Sequence, residues 1–127
     1  MHRCEQLEVW KRSVKLAARL HLVARSSTRW ADQSLWNQVS RAAVSIPANI
    51  AEGAQRGTDR EFIRFLGIAM GSAAELQTLL ALAQKSGVLD AGSAGPLAQE
   101  ARELRRMTAA LRGRMLTRSY ARPDSIR

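Results

Sequence analysis

Apolar residues recur at every third or fourth position along most of the chain, a spacing that predicts amphipathic helices and not strands. Four such segments are expected at about residues 5–25, 33–55, 58–86 and 96–117. Short links join them, so neighbouring helices must run antiparallel. The sequence therefore predicts an all-α fold, an up-down-up-down antiparallel four-helix bundle over residues 1–117. Residues 118–127 are basic and contain a proline, and they are expected to form a flexible tail.

Several residues mark the expected helix ends. Thr58 and Glu61 have the spacing of a capping box at the start of the third helix, and Gly87 is placed to end it. Gly53, with Gly57 after it, is expected to end the second helix. Pro96 suits the first turn of the fourth helix, where its missing N–H costs nothing.

Pro47 lies in the middle of the second predicted helix, where a proline removes one backbone hydrogen bond. Either the helix bends at this point or two helices meet there. The apolar face keeps its phase from Val39 to Ile50, which favours one bent helix.

The first and third helices each carry two apolar faces, although one face is enough to build a four-helix core. The main face of the third helix contains Phe62, Phe65, Leu66, Ala69, Ala73, Leu76, Leu80 and Ala83. Its second face contains the smaller set Ile63, Gly67, Met70, Gly71, Ala74 and Ala81. In the first helix, the face that we expect to form the core contains Leu7, Trp10, Val14, Ala17, Ala18 and His21. The face nearly opposite contains Val9, Leu16, Leu20 and Val23. Large exposed apolar patches usually mark interfaces, so we expect a homo-oligomer with subunit contacts near the first and third helices. The alternative is that these are ordinary scattered surface residues.

The chain of 127 residues has 20 Lys and Arg against 11 Asp and Glu, a net charge of +9. The excess belongs to residues 1–31 and 87–127, and it indicates an acidic partner such as nucleic acid. The first and fourth helices are neighbours in an up-down bundle, so their basic stripes could merge into one surface. The predicted phosphate contacts are Lys11, Arg12, Lys15, Arg19, Arg105 and Arg112, with Arg41 and Arg64 as additions. No aromatic residues are interleaved with these cations, so backbone binding without strong sequence readout is expected. The alternative is a solvated basic face that only confers solubility.

Signals for catalysis are weak. His2 is terminal, His21 is expected to pack in the core, and no sequence motif for a metal site, a catalytic nucleophile or a phosphate loop occurs. We therefore predict no enzyme, no metal and no cofactor. Asn49, Glu52 and Arg56 are interpreted as a structural polar motif.

The cellular location is predicted from two features. Cys4 is the single cysteine and cannot form an internal disulfide, and no signal peptide is recognisable, so a cytoplasmic location is expected. The most apolar stretch, residues 65–83, contains Glu75 and is a poor membrane span. We interpret that stretch as a helix buried on more than one side, and no membrane partner is expected.

Residues 41–53, which read RAAVSIPANIAEG, closely resemble the signature of a bacterial four-helix bundle family. Its members include proteins encoded in intervening sequences of 23S ribosomal RNA genes, and the accessory variability protein of diversity-generating retroelements is similar. The resemblance continues through Glu61-Phe62, FLGIA at 65–69 and GSAAEL at 71–76, and it includes Leu7 and Trp10. It covers roughly residues 7–116.

This resemblance implies a four-helix bundle that assembles as a ring, with a pentamer expected, and a basic surface that binds nucleic acid. In the retroelement branch, that surface would serve a complex with a reverse transcriptase. The polar positions that the resemblance carries over, interpreted first as architecture and interface, are Arg41, Asn49, Glu52, Arg56, Glu61 and Glu75. The alternative function is a scaffold that docks a protein partner on an apolar helix face and has no role with nucleic acid.

Overall fold

The computed structural model describes residues 3–4, 7–25 and 33–121. They form four helices, α1 (Glu8–Arg25), α2 (Gln33–Gln55), α3 (Asp59–Lys85) and α4 (Ala91–Ala121), and no strand occurs among these residues. Helix α3 packs extensively against both α2 and α4. Helix α1 packs against α2 and, less extensively, against α4. The predicted all-α four-helix bundle is confirmed.

The core is built from aliphatic side chains of all four helices around Phe62, which is completely buried. Helix α3 is central because its whole predicted main face, from Phe62 to Ala83, is buried. The other large side chains that are almost fully buried are Leu16, Leu20, Val39, Ile46, Ile50, Leu66, Leu76, Leu80, Leu97 and Leu104. The apolar faces predicted for α2 and α3 are therefore the faces that build the core.

Helix α1 presents the opposite face to the core from the one expected. The buried residues of α1 are Val9, Ser13, Leu16 and Leu20. Val14, on the face that the pattern favoured, is 39% exposed. The two faces have similar apolar content, and contacts with α2 and α4 decide which one is covered.

Helix α2 is one continuous helix through Pro47, as the uninterrupted apolar phase predicted. Gly53 does not end this helix, which continues to Gln55. Gly53 is instead buried, and it allows α3 to approach closely, because a Cβ built there would lie 2.6 Å from the Cβ of Phe65.

The ends of α3 follow the predicted signals. The Thr58 hydroxyl accepts a hydrogen bond from the Glu61 backbone N–H at 3.2 Å, while the Glu61 side chain accepts one from Arg64. At the other end, Gly87 has a φ of +82°. The Val88 N–H then bonds the Ala83 carbonyl and the Gly87 N–H bonds the Gln84 carbonyl. These two bonds form a Schellman cap, which requires the left-handed conformation that glycine adopts without strain.

Helix α4 is longer at both ends than predicted. It begins one turn early because the Asp90 carboxylate accepts the Ser93 backbone N–H at 2.8 Å, as an N-cap does. Pro96 consequently lies within the helix and not at its first position. At the C-terminal end, residues 118–121 continue the helix, and Ser119 is fully buried. Residues 122–127 of the expected tail lie outside the described residues.

Helix α3 is long and apolar enough to cross a membrane by length and composition alone. Of its most apolar stretch of 18 residues, 44% is buried inside the bundle. A helix at the centre of a bundle has such a composition without spanning a membrane.

Candidate functional site

Of the eight cations predicted to contact phosphate, four are already engaged within the bundle. Lys11 lies 3.5 Å from Glu8, and Arg64 lies 3.2 Å from Glu61. Arg12 and Arg112 form hydrogen bonds to neighbouring helices. The side chains of the remaining four, Lys15, Arg19, Arg41 and Arg105, form no hydrogen bond or ion pair with another described residue.

Arg12 ties α1 to α4. Its Nε donates to Glu100 Oε2 at 3.2 Å, a second guanidinium nitrogen contacts the other carboxylate oxygen, and Nη1 approaches Met107 Sδ at 3.0 Å. The hydrogen bonds to Glu100 raise the pKa of Arg12, with smaller contributions from nearby carboxylates that include Glu103, while burial opposes the shift. The α1–α4 seam therefore places acids of α4 beside Arg12 and does not form one continuous basic surface.

Arg112 faces α3 and not α1. Its Nε donates to the Ile63 carbonyl at 3.1 Å and lies 3.4 Å from where a Cβ of Gly67 would be. Arg105 precedes Arg112 by seven residues, so it lies on the same side of α4. These two arginines are thus separated from the α1 cations that sequence reasoning grouped with them.

The cations of α1 form the most regular charged feature. Arg12, Lys15 and Arg19 follow one another at steps of three and four residues, which places them on one side of the helix. Because Arg12 contacts α4, this side of α1 faces the α4 edge of the bundle. Lys15 and Arg19 are exposed along the same edge, and Lys11 is exposed one turn before Lys15.

Arg41 lies apart from these residues, in a polar groove of about 800 Å³ between α2 and α3. Glu75 also lines the groove, as do neutral polar residues of both helices. Ser45 and Ser72 join the two helices by a hydrogen bond of 2.7 Å between their hydroxyls. The groove therefore carries one cation and one carboxylate, and neither side chain forms an ion pair or hydrogen bond with another described residue.

The three residues interpreted as a polar motif separate into two arrangements. Glu52 and Arg56 form an ion pair of 2.9 Å in which both side chains are about half exposed. Asn49 instead donates to the Ser45 carbonyl at 2.8 Å and to the Ser45 hydroxyl at 2.9 Å. Asn49 thereby extends the hydrogen-bonded link between α2 and α3.

Phe65 is contacted by two guanidinium groups, a feature that sequence reasoning missed. Arg64 lies 4.5 Å and Arg56 lies 5.1 Å from the ring centroid. The sequence does not indicate this arrangement, because the contact of Arg56 with Phe65 depends on the close approach of α2 to α3 at Gly53. The aromatic ring stabilises both cations beside the α2–α3 turn.

His21 does not belong to the core, where it was expected. Its imidazole is exposed, with Nδ1 at 2.8 Å from the Ala17 carbonyl and Nε2 at 3.3 Å from the Ser40 hydroxyl. The ring packs edge-on against Trp36 at a centroid distance of 5.1 Å. His21 thus lies at the α1–α2 seam, away from the α2–α3 groove that contains Arg41, and the two do not form a common site.

Exposed large apolar side chains occur on all four helices of the bundle. Those more than a third exposed are Val14, Leu22, Val44, Ile68, Leu82 and Tyr120. Leu22 and Leu82 are more than half exposed, at 62% and 51%. Among the residues that the structure describes, no cluster of three histidine, cysteine or acidic side chains could hold a metal ion.

Comparison with known proteins supports the fold. The model of the 23S rRNA-intervening sequence protein family matches residues 5–110. A crystal structure of a protein of unknown function from the S23 ribosomal protein family of Bacteroides thetaiotaomicron superposes with a TM-score of 0.73 at 21% identity. The match covers 81% of this chain and 96% of that one. No curated protein sequence matches the chain. Neither match indicates an enzymatic family. Since the family model covers most of the chain, the protein belongs to the 23S rRNA-intervening sequence protein family.

Proposed function

We propose that the protein is a non-enzymatic homo-oligomer that binds nucleic acid through its phosphates, without strong readout of the bases. The observation that carries the proposal is the exposed row on α1, in which Lys15 and Arg19 have no acidic partner in the described part of the chain. An exposed cation whose charge is not neutralised can displace counterions from a phosphate backbone.

The charge of the chain supports the same function. A net charge of +9 on a 14.0 kDa chain favours association with a polyanion and speeds the encounter at low salt. Assembly of several copies would repeat the α1 row, and each repeat would add phosphate contacts. A pentamer is the assembly that the family resemblance implies, and a reverse transcriptase is a proposed partner in the retroelement branch. We propose that the complex acts in the cytoplasm.

The geometry revises which cations carry the proposed contact. Lys15 and Arg19 are the main candidates, with Lys11 beside them, since Lys11 is held only by an exposed contact to Glu8. Arg12 and Arg112 contribute to bundle packing, and Arg41, Arg64 and Arg105 lie on other faces. The set of eight from the sequence remains a prediction, with this order of importance.

Titration of labelled RNA and DNA at two salt concentrations tests the proposal. Binding should weaken steeply with salt and differ little between base sequences. The double variant Lys15→Gln/Arg19→Gln should weaken binding to every sequence alike and reduce the salt slope by about 1–2. A matched control is the double variant Arg60→Gln/Lys85→Gln, which removes two exposed cations from the two ends of α3. Undetectable binding at low salt, or an equal effect of both variants, would contradict the proposal.

The exposed apolar residues favour a second candidate function, a scaffold that docks a protein on an apolar helix face. Leu22 and Leu82 are the most exposed aliphatic side chains on α1 and α3. A protein partner retained after nuclease treatment and at high salt would support this function over nucleic-acid binding.

A further inference from the structure

Helix α3 carries an outward stripe with the spacing of a coiled-coil seam. Its residues follow one another at alternating steps of four and three. All of them are exposed, and they are Arg64, Ile68, Gly71, Glu75, Thr78 and Leu82. Ile68 is 40% and Leu82 is 51% exposed, and a Cβ at Gly71 would have no neighbour within 4 Å. We call this set the α3 stripe.

Helix α1 carries a second outward stripe, directly opposite its buried face. It runs at steps of three and four residues, and all of its members are exposed: Lys11, Val14, Ala18, Leu22 and Arg25. We call this set the α1 stripe. It has apolar residues in the middle and a cation at each end. The α3 stripe has apolar residues on both sides of Glu75 and a cation only at its N-terminal end, Arg64, which is paired with Glu61.

The charges decide how copies of the chain can pair. If two α3 stripes met antiparallel, Ile68 would match Leu82 of the other copy, because each lies seven residues from Glu75. In that register the two Glu75 carboxylates would lie next to each other. Arg41 is on the α2 wall of the groove, outside the α3 stripe, so it does not belong to this contact. Two antiparallel α1 stripes would likewise place Lys11 opposite Arg25. Both self-pairings therefore oppose like charges, which disfavours them.

Pairing the two different stripes removes this conflict. When the α1 stripe of one copy packs on the α3 stripe of another, a cation at one end of the α1 stripe can lie beside Glu75. Val14 or Leu22 can then pack into the open space at Gly71. The two stripes belong to helices on opposite corners of the bundle, since α1 and α3 each pack against α2 and α4. One copy can therefore use both stripes at once.

We infer that copies of this chain associate head to tail, with the α1 stripe of one copy seated on the α3 stripe of the next. This inference rests on the proposed homo-oligomer and specifies its contact. Such a contact is heterologous, and repeated heterologous contacts give closed rings when the rotation between copies closes, or open filaments when it does not.

Complementation between two assembly-defective variants tests the head-to-tail arrangement. Val14→Asp disables the α1 stripe, and Ile68→Asp disables the α3 stripe. By light scattering without nucleic acid, each variant alone should have the 14.0 kDa mass of one chain. A 1:1 mixture should form a species of two chains and no larger one, because one intact contact remains between the two variants.

Val44→Asp is the matched control, since Val44 is 47% exposed on α2 and belongs to neither stripe. It should assemble like the unaltered chain, and circular dichroism should show that all three variants fold. Glu75→Lys should reduce assembly most at low salt.

Three outcomes would overturn the inference: Val14→Asp assembling like the unaltered chain, a mixture that stays monomeric, or Val44→Asp dissociating equally. An unaltered chain that is monomeric would instead remove the proposed homo-oligomer itself.

Discussion

Replacing Gly53 with alanine should destabilise the bundle, although alanine is the better helix former. A Cβ at this position would lie 2.6 Å from the Phe65 Cβ and 3.1 Å from Phe62 Cδ1. The Phe65 Cβ is attached directly to the backbone of α3 and cannot rotate away. Helix α3 would therefore have to move by roughly 1 Å to restore the usual carbon–carbon separation of about 3.5–4.0 Å.

The magnitude follows from two opposing effects. Replacing glycine with alanine inside a helix stabilises it by about 0.5–1 kcal/mol. Overpacking a well-filled core costs about 1–3 kcal/mol, and separating α2 from α3 loses further contacts around Phe62. The net loss should be about 1–2 kcal/mol, which lowers the melting temperature by several degrees in a domain of this size.

Gly113→Ala is the matched control for this change. Gly113 is also inside a helix, but a Cβ there would have no neighbour within 4 Å. Its substitution should raise the free energy of unfolding by about 0.5–1 kcal/mol. Thermal and urea unfolding, followed by circular dichroism at one protein concentration, measures both variants. A Gly53→Ala protein as stable as Gly113→Ala would refute the close approach of α2 and α3 at this point.

Three smaller stability predictions concern single polar contacts. Glu100→Gln should cost about 1–2 kcal/mol, because it weakens the partly buried tie to Arg12, and a double-mutant cycle with Arg12→Met should show coupling between the two sites. Asp90→Ala should lower the free energy of unfolding by about 0.5–2 kcal/mol, while Asp90→Asn keeps the cap and most of the stability, and equal losses would contradict capping. Ser119→Ala should be neutral or stabilising in a thermal melt, because the buried Ser119 hydroxyl has no hydrogen-bond partner among the described residues.

The periodicity of apolar residues was sufficient to predict the four helices and the core faces of α2 and α3. Each of those faces is the more strongly apolar face of its helix, and in α3 it carries both phenylalanines, Phe62 and Phe65, while the second face carries mainly smaller residues. The N-cap hydrogen bond at Thr58 and the stop at Gly87 were also predictable, because both depend on residues close in sequence, whereas the return bond of a capping box is replaced by the Glu61–Arg64 pair. Local chemistry of this kind needs no knowledge of the neighbouring helix.

Features that depend on a neighbouring helix were not predictable in the same way. Helix α1 has two apolar faces of similar content, so its sequence alone could not determine which one is buried. The engagement of Arg12 by Glu100 and of Arg112 by the Ile63 carbonyl requires knowledge of which sides of α1, α3 and α4 face each other. The N-cap at Asp90 is a different case, because aspartate is a preferred N-cap residue and its role depends on adjacent residues. The glycines and the proline at 92, 95 and 96 indicated a loop there, and the helix start was therefore placed too late.

The two proposals are compatible because, apart from Lys11 at the end of the α1 stripe, they use adjacent but different sides of α1. Lys15 and Arg19 continue the row that begins at Arg12, and Arg12 points toward α4. Val14 and Leu22 lie instead on the outermost side, opposite the buried face. If the outermost side were covered by the next copy, Lys15 and Arg19 would stay on the open α4 edge. Head-to-tail repetition would then align one pair of unpaired cations per copy along the assembly. Affinity for a long polyanion should therefore fall more when Val14→Asp separates the copies than when Val44→Asp, which adds the same charge, leaves them assembled.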